Sequence, residues 1–369
     1  MRGIFVVCFR VEGGFVPLRR PKVAHIATVG MGVKFLLAGQ LKMLEEKGFE
    51  VWAICGPDRW AEEVRREGIR VITVPLTRSM SPHKDLKALR ALVRVLRRGR
   101  FDIVHTHNPK PGFLGQVAAR IARVPVSVAT IHGYYFVGAK SPAAKALFGV
   151  LEAATVRMAD FVFFQNRHDL ELSVKLGLLP RGKAEYSGNG IDLSRFDPTK
   201  ISQEEVRAER RRLGIPEDAV VVGMVGRLVW EKGYGEFLEA AILTRLLERK
   251  VQFIVAGFRE DFRRDTVPME VIRKFEKAGL LKFLGEREDM PLVYAMMDIL
   301  VLPSHREGFP RALMEGAAMG KPIVATDISG CREVVKVVGR LRQGVKIGMN
   351  GFSSGGGSKK FSGDNFILG

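Results

Sequence analysis

Twice along this chain, short runs rich in Val, Ile and Leu alternate with helix-length segments of amphipathic period. That alternation constrains the fold more than any other feature. Strands joined through helices pair in parallel and bury both faces of their sheet. The first series runs through residues 23–28, 50–55, 70–74, 102–105 and 127–130. A helical pattern follows the first run from Phe35 to Glu46 and stops at Gly48. The second series runs through residues 220–225, 251–256, 299–302 and 323–325, and the polar stretch 198–218 separates the two. The pattern predicts an α/β chain: an N-terminal extension (1–21), then two Rossmann-like domains (22–200 and 201–335) whose parallel sheets face a central cleft. Open α/β sheets bind ligands beyond the carboxyl ends of their strands. Each motif described below follows a strand, so each is a candidate to line that cleft.

The richest stretch is Ser304-His305-Arg306-Glu307-Gly308-Phe309-Pro310-Arg311-Ala312-Leu313-Met314-Glu315. Pro310 suits the first position of a helix, where a missing N–H costs little, and Glu315 then falls about one and a half turns further on. The start of such a helix offers unpaired N–H groups and a positive dipole end, which favour an anion. A carboxylate on either side can hold sugar hydroxyls, because ionised Glu is purely an acceptor. Taken alone, two solvated surface charges are the commoner explanation of such a pair. Arg227 and Lys232 lie five apart between Gly226 and Gly233, after the first strand of the second series. Glycine allows close backbone approach, and two cations can neutralise a leaving diphosphate. Gly257 closes the next strand. In the first half, Gly30-x-Gly32 begins a dinucleotide fingerprint, but position 35 is Phe, which argues against a nicotinamide enzyme. The two glycines instead let a helix start approach a diphosphate or an acceptor. His105 and His107 could ligate a metal, yet no third ligand stands nearby in sequence, so no metal is expected. His132-Gly133 follows another strand, and a lone His there is more often a structural hydrogen-bonding group.

Continued through Gly320-Lys321-Pro322-Ile323-Val324-Ala325-Thr326-Asp327 and Gly330, the Glu307-x7-Glu315 stretch resembles the signature of family 4 retaining glycosyltransferases of the GT-B fold (glycosyl transferases group 1). The segments TVGMGVKFLLAGQL, VHTHNPKPGFLGQVAARIA and TIHGYYF resemble a branch that acts in capsular and exopolysaccharide assembly on lipid-linked sugars. The resemblance spans about residues 22 to 335. It implies that Arg227 and Lys232 bind the donor diphosphate and that Glu315 holds the ribose hydroxyls. It implies further that Glu307 holds the donor sugar, with backbone N–H groups near Gly308, Phe309 and Pro310 on sugar and phosphate. By the same resemblance Gly257 lies beside the nucleotide, Leu284-Gly285 beside its base, His132 beside the transferred sugar, and Asn189-Gly190-Ile191-Asp192 is a structural turn. Gly30 and Gly32 complete the donor-binding set.

The implied activity moves a hexose or N-acetylhexosamine from a nucleotide diphosphate sugar, UDP by default, to a lipid-linked or polysaccharide acceptor. The leaving phosphate oxygen takes the acceptor proton, and no enzyme nucleophile is involved. No Asp-x-Asp occurs, so neither metal nor other cofactor is expected. Two alternatives stand: a truncated, impaired GT-B chain with a binding or assembly role, and a GT-B UDP-sugar epimerase. The first draws on residues 336–369, where relatives continue with further helices. Here a Gly-, Ser- and Lys-rich run begins, which predicts disorder and suggests a frameshift or truncation.

Charge narrows the partners. The chain carries a net +19, and residues 1–200 hold 32 Lys and Arg against 17 Asp and Glu, whereas residues 201–335 hold 21 against 22. No nucleic-acid module is visible, so the basic half is expected to meet an anionic membrane face or an acidic small molecule. Residues 84–98 read as an amphipathic helix with Leu86, Leu89, Leu92, Val93 and Leu96 on its apolar side and six Lys and Arg on the other. No run of about 20 apolar residues occurs. Three scattered cysteines, Cys8, Cys55 and Cys331, suggest a reducing compartment. A cytoplasmic protein peripheral to the membrane is therefore expected.

Overall fold

The computed structural model of the protein describes residues 8–11, 14–17, 19–107, 109–139, 141–179, 182–247, 250–260, 265–339 and 366–368. The chain divides into two compact units at Gly188/Asn189. That division precedes the polar 198–218 stretch. The segment after it is claimed by the second core, where Phe196 is buried and Ile191 packs alongside.

The first unit opens with an antiparallel hairpin of β1 (Cys8–Val11) and β2 (Gly14–Pro17). Its main strands are β3 (Lys22–Val29), β4 (Glu50–Gly56), β5 (Arg70–Thr73), β6 (Ile103–His107), β7 (Val126–Ile131), β8 (Phe161–Phe164) and β9 (Ala184–Tyr186). Among the described residues they form one parallel sheet in the order β5-β4-β3-β6-β7-β8-β9. The chain winds outward from β3 in one direction and then from β6 in the other, so the β3/β6 border is the switch point where such sheets open a ligand crevice. Separate clusters cover the two faces of this sheet. Helices Pro82–Gly99 and Pro109–Ala122 seal one with Ala88, Leu92, Leu96 and Leu114. Helices Ala38–Glu46 and Arg59–Arg66 seal the other with Leu41, Ala61 and Val64. Arg59–Arg66 begins where it does because the Asp58 side chain accepts from the Ala61 N–H at 2.8 Å, satisfying one of the donors every helix start leaves open.

The second unit is built from β10 (Val220–Val225), β11 (Val251–Ala256), β12 (Leu281–Gly285), β13 (Ile299–Leu302), β14 (Ile323–Thr326) and β15 (Phe366–Leu368). Their order is β12-β11-β10-β13-β14-β15, parallel except for β15, and the switch point falls between β10 and β13. Two Rossmann-like units of parallel sheet and helix are thus present, as the alternating pattern predicts.

Three expectations need correction. Helix Ser329–Gly339 continues past Val335, since no Pro or Gly interrupts the run before Gly339. Of the expected disordered tail, residues 340–365 lie outside the described residues. Phe366–Leu368, however, is an edge strand paired antiparallel with β14, with Val324 opposite Leu368, Ala325 opposite Ile367 and Thr326 opposite Phe366, and Phe and Ile are residue types that favour strands. Third, Leu86 does not join the apolar stripe of helix Pro82–Gly99: it is 46% exposed, since the buried line is set by Ala88, Leu92 and Leu96.

Candidate active site

In the second unit, the loops leaving β10 and β13 meet at the carboxyl end of the sheet. The backbone N–H of His305 donates to the carbonyl of Glu231 at 2.9 Å, and the Arg306 guanidinium donates to the Glu231 carboxylate at 2.6 Å. Across this seam the Lys232 ammonium and Glu307 Oε1 form an ion pair at 2.5 Å, and the Ser304 hydroxyl donates to the same oxygen at 2.8 Å. Both charged side chains are largely buried, at 17% and 9% exposure. A buried charge is tolerated only when paired, so the pair is a fixed element and not a surface accident. Lys232 has three N–H donors and spends one here, while Glu307 Oε2 has no hydrogen-bond partner among the described residues.

Arg227, earlier on the same loop, pairs with the buried Glu260 at 2.8 Å through one terminal nitrogen. The loop is locked from below: the Tyr234 hydroxyl donates to the Gly226 carbonyl at 3.0 Å. Gly257 presses its backbone on Gly226 so closely that a Cβ there would fall 1.8 Å from the Gly226 carbonyl oxygen. Gly257 thus shapes the loop carrying Arg227. Gly330, at the start of helix Ser329–Gly339, abuts the other loop; its Cβ would lie 2.4 Å from the Glu307 carbonyl oxygen and 2.8 Å from that of Gly308.

Helix Arg311–Ala318 follows the β13 loop, with Pro310 as its N-cap, one position earlier than expected, and Pro310 supplies no side-chain cap. The Phe309 carbonyl accepts from the Asn189 side chain at 3.4 Å. Glu315, one turn further, accepts from the Tyr294 hydroxyl at 2.9 Å and meets Arg311 at 3.4 Å. Burial raises its carboxyl above the usual range, and Arg311 and Tyr294 pull it back in part. Burial likewise lifts the Tyr294 hydroxyl, which therefore stays a neutral donor to Glu315.

Lys232 and Glu307 are thus brought into contact. Arg227, Gly257, Gly308, Phe309 and Pro310 belong to the loops tied to that contact, and Glu315 belongs to the helix that follows. Three supporting groups went unrecognised in sequence. Ser304 opens the acidic stretch but had no role there, Glu260 carries no motif signal, and Tyr294 reads as an ordinary core aromatic.

The first unit holds its own cluster at the β3/β6 switch point. His25 on β3, His105 and His107 on β6 and His132 just after β7 pack ring to ring. A third imidazole therefore does stand beside His105 and His107: their ligand nitrogens and one of His25 lie within 4.8 Å of one another. Sequence distance hid it, although a His inside an otherwise aliphatic strand was a usable signal. Burial pushes His25 down to about 3 and His105 and His107 well below the ordinary imidazole range. His132 is lowered by the same cause, with the Gln165 side chain acting against it. Of the two glycines expected at this end, Gly30 is buried against Asp58 and the Ala61 backbone, and the adjacent Met31 N–H already donates to Asp58 at 3.2 Å. Gly32 lies two residues on, near Ala27. Lys110 is buried, ion-paired with Asp85, and donates to the carbonyls of Thr77 and Ser79.

Residues 30–190 match the family described as glycosyl transferase 4-like domain, and residues 205–339 match glycosyl transferases group 1. The UDP-Gal:alpha-D-GlcNAc-diphosphoundecaprenol alpha-1,3-galactosyltransferase of Escherichia coli is 31% identical over 320 residues, covering 85% of this chain and 81% of that protein. The N,N'-diacetylbacillosaminyl-diphospho-undecaprenol alpha-1,3-N-acetylgalactosaminyltransferase of Campylobacter jejuni is 28% identical over 319 residues, covering 85% and 82%. Among solved structures, Anabaena Alr3699/HepE in complex with UDP and glucose superposes with a TM-score of 0.70 at 21% identity, over 90% of this chain and 85% of that one.

Proposed function

The chain belongs to the group 1 glycosyltransferases and is a sugar-transferring enzyme of glycan biosynthesis, and on that footing we propose that it moves a hexose or N-acetylhexosamine, with retention of configuration, from a UDP-sugar to a lipid-linked acceptor. The single observation that carries this reading is the Lys232–Glu307–Ser304 contact at the β10/β13 switch point, with Arg227 on the same loop. Lys232 keeps two N–H donors, and Arg227 keeps the donors not used on Glu260. Together they can neutralise the two phosphates as the sugar leaves. On this reading Glu307 Oε2 accepts from the sugar hydroxyls and Glu315 from the ribose, while the positive dipole end at the start of Arg311–Ala318 suits a phosphate oxygen.

The protein contributes positioning and charge stabilisation, with the leaving phosphate oxygen taking the acceptor proton. Arg227, Lys232 and the helix start take the role a divalent metal plays elsewhere, so turnover should persist in EDTA. The acceptor class is proposed from relatives whose names specify diphosphoundecaprenol-linked sugars. Among the described residues no helix is long and apolar enough to cross a membrane. The exposed Lys84, Lys87, Arg90, Arg94, Arg97 and Arg98 of helix Pro82–Gly99 form a basic face that fits anionic lipid. We place the enzyme on the cytoplasmic membrane surface accordingly.

The test is a panel of UDP-, GDP- and ADP-sugars incubated with membrane extract, with Glu307→Ala as the comparison. Transfer from a UDP-sugar by the wild type, lost in a folded Glu307→Ala, supports the proposal. Donor binding without turnover would assign a binding role instead, and interconversion of free UDP-sugars would assign an epimerase.

A further inference from the structure

The loop that carries His132 is tied down by two buried carboxylates. It leaves β7 and runs through His132, Gly133, Tyr134, Tyr135 and Phe136, ahead of helix Pro142–Met158. Gly133 takes φ +111°, in the region that favours glycine. Past it, three successive backbone N–H groups donate to acidic side chains. The Tyr134 N–H donates to Asp169 Oδ2 at 2.8 Å. The Tyr135 N–H donates to Glu152 Oε1 at 2.9 Å, and the Phe136 N–H donates to Glu152 Oε2 at 3.1 Å. Glu152 lies on helix Pro142–Met158 and Asp169 on helix Arg167–Lys175, and they are 2% and 3% exposed. Tyr134 is itself buried, and its hydroxyl meets Ser173 Oγ at 2.5 Å.

A carboxylate taken out of water is costly unless hydrogen bonds to it are made good. Bonds from N–H groups to an anion are roughly twice as strong as neutral ones. Surface loops ordinarily need no such anchor, because water satisfies their backbone groups. Here three consecutive N–H groups are spent on two buried anions. They fix the backbone of residues 134–136 and, through Gly133, that of His132. The His132 ring is held separately, with Nε2 at 3.0 Å from His107 Nδ1 on β6, at the border of the switch point.

Glu152 has a requirement of its own. Its two oxygens take two different N–H groups, so the position needs two acceptors on one side chain. A carboxylate has them. An amide of the same size has one accepting oxygen, and its NH₂ would face whichever N–H the oxygen leaves. Gln therefore fills the space of Glu152 without being able to do its work.

We infer that Glu152 is a positioning residue for His132: its two carboxylate oxygens fix the Tyr135 and Phe136 backbone and so hold the His132 loop in register for transfer. The consequence for turnover rests on the reading of His132 as the residue beside the transferred sugar, whereas the clamp is a property of the first unit alone.

The test compares the full-length wild type with Glu152→Gln by two readouts, amide hydrogen exchange and transfer from a UDP-sugar to membrane extract. Glu152→Gln should speed exchange of the Tyr135 or the Phe136 amide by about tenfold or more, the loss expected for a bond to a charged acceptor, with β3 and β6 unchanged. It should lower kcat by about tenfold to a hundredfold while the donor KM holds, because Arg227 and Lys232 belong to the second unit. Ile54→Val, a conservative change in the buried core on β4, should leave loop exchange and kcat at their wild-type values. If Glu152→Gln does not fold, Tyr135→Pro and Tyr135→Ala isolate one bond. Both lose the ring, only Pro lacks the N–H, and Tyr135 already holds φ −72°, which Pro adopts. The Pro variant should then show the lower kcat at the same donor KM. A folded Glu152→Gln whose loop amides exchange as in the wild type overturns the inference. So does a released loop with unchanged kcat, or equal kcat in the Pro and Ala variants. The predicted exchange with no transfer by the wild type from any donor would support the clamp and sink only the functional reading.

Discussion

Acidification should destabilise the first unit through His25 in a calculable way. The ring is fully buried and its pKa lies at about 3, against 6.5 in a flexible chain, and desolvation is the cause. The folded pKa is the lower one, so the unfolded state binds the extra proton. Stability is then complete above pH 6.5 and is lost as pH falls from there toward 3. Each pH unit in that window costs about 1.4 kcal/mol, so moving from pH 7 to pH 5 costs about 2 kcal/mol through His25 alone. His105, His107 and His132 are shifted in the same direction and add to the wild-type loss. Comparison with His25→Leu isolates the single ring. The assay is hydrogen exchange in peptides spanning β3 and β6, which reports opening of the first unit alone, at pH 7 and pH 5 after correction for intrinsic rates. The wild type should lose about 2 kcal/mol more than His25→Leu over this interval. Equal losses would refute the reasoning, because they would mean that His25 is hydrated or already charged in the folded chain.

Other perturbations probe the second unit and the basic helix. Gly330→Ala forces a Cβ to within 2.4 Å of the Glu307 carbonyl; it should cost about 1–3 kcal/mol in denaturant titration and raise the donor KM by more than that loss of stability accounts for. Tyr294→Phe removes the hydroxyl that donates to Glu315. It should cost about 2 kcal/mol, as expected for a hydrogen bond to a charged acceptor, and should weaken donor binding in calorimetry. Replacing Lys84, Lys87, Arg90 and Arg94 by Gln should abolish flotation with anionic vesicles while leaving the thermal midpoint nearly unchanged, because all four are exposed.

Much of the fold was legible because parallel strands buried on both faces announce themselves as aliphatic runs. Residues 220–225 and 251–256 emerge as β10 and β11 at those bounds. Shorter or aromatic strands escaped. Phe161–Phe164 and Ala184–Tyr186 lie at the far side of the sheet, where four- and three-residue strands carry little periodicity. The acidic and basic motifs were legible because each follows a strand and has a fixed spacing. Their partners were not, since Lys232 and Glu307 are 75 positions apart and only the β10/β13 adjacency joins them. His25 shows the same limit. Its register partner on the neighbouring strand is His105, a relation set by strand order and invisible in a local window.

The central claim is that the loops of residues 226–233 and 303–310, with helix Arg311–Ala318, grip a sugar diphosphate. Hydrogen exchange of the intact chain with and without a UDP-sugar tests it most directly. Protection concentrated in those segments, and lost in Lys232→Ala, is the predicted result. Protection confined to other segments, or an equal response from Lys232→Ala, would contradict it.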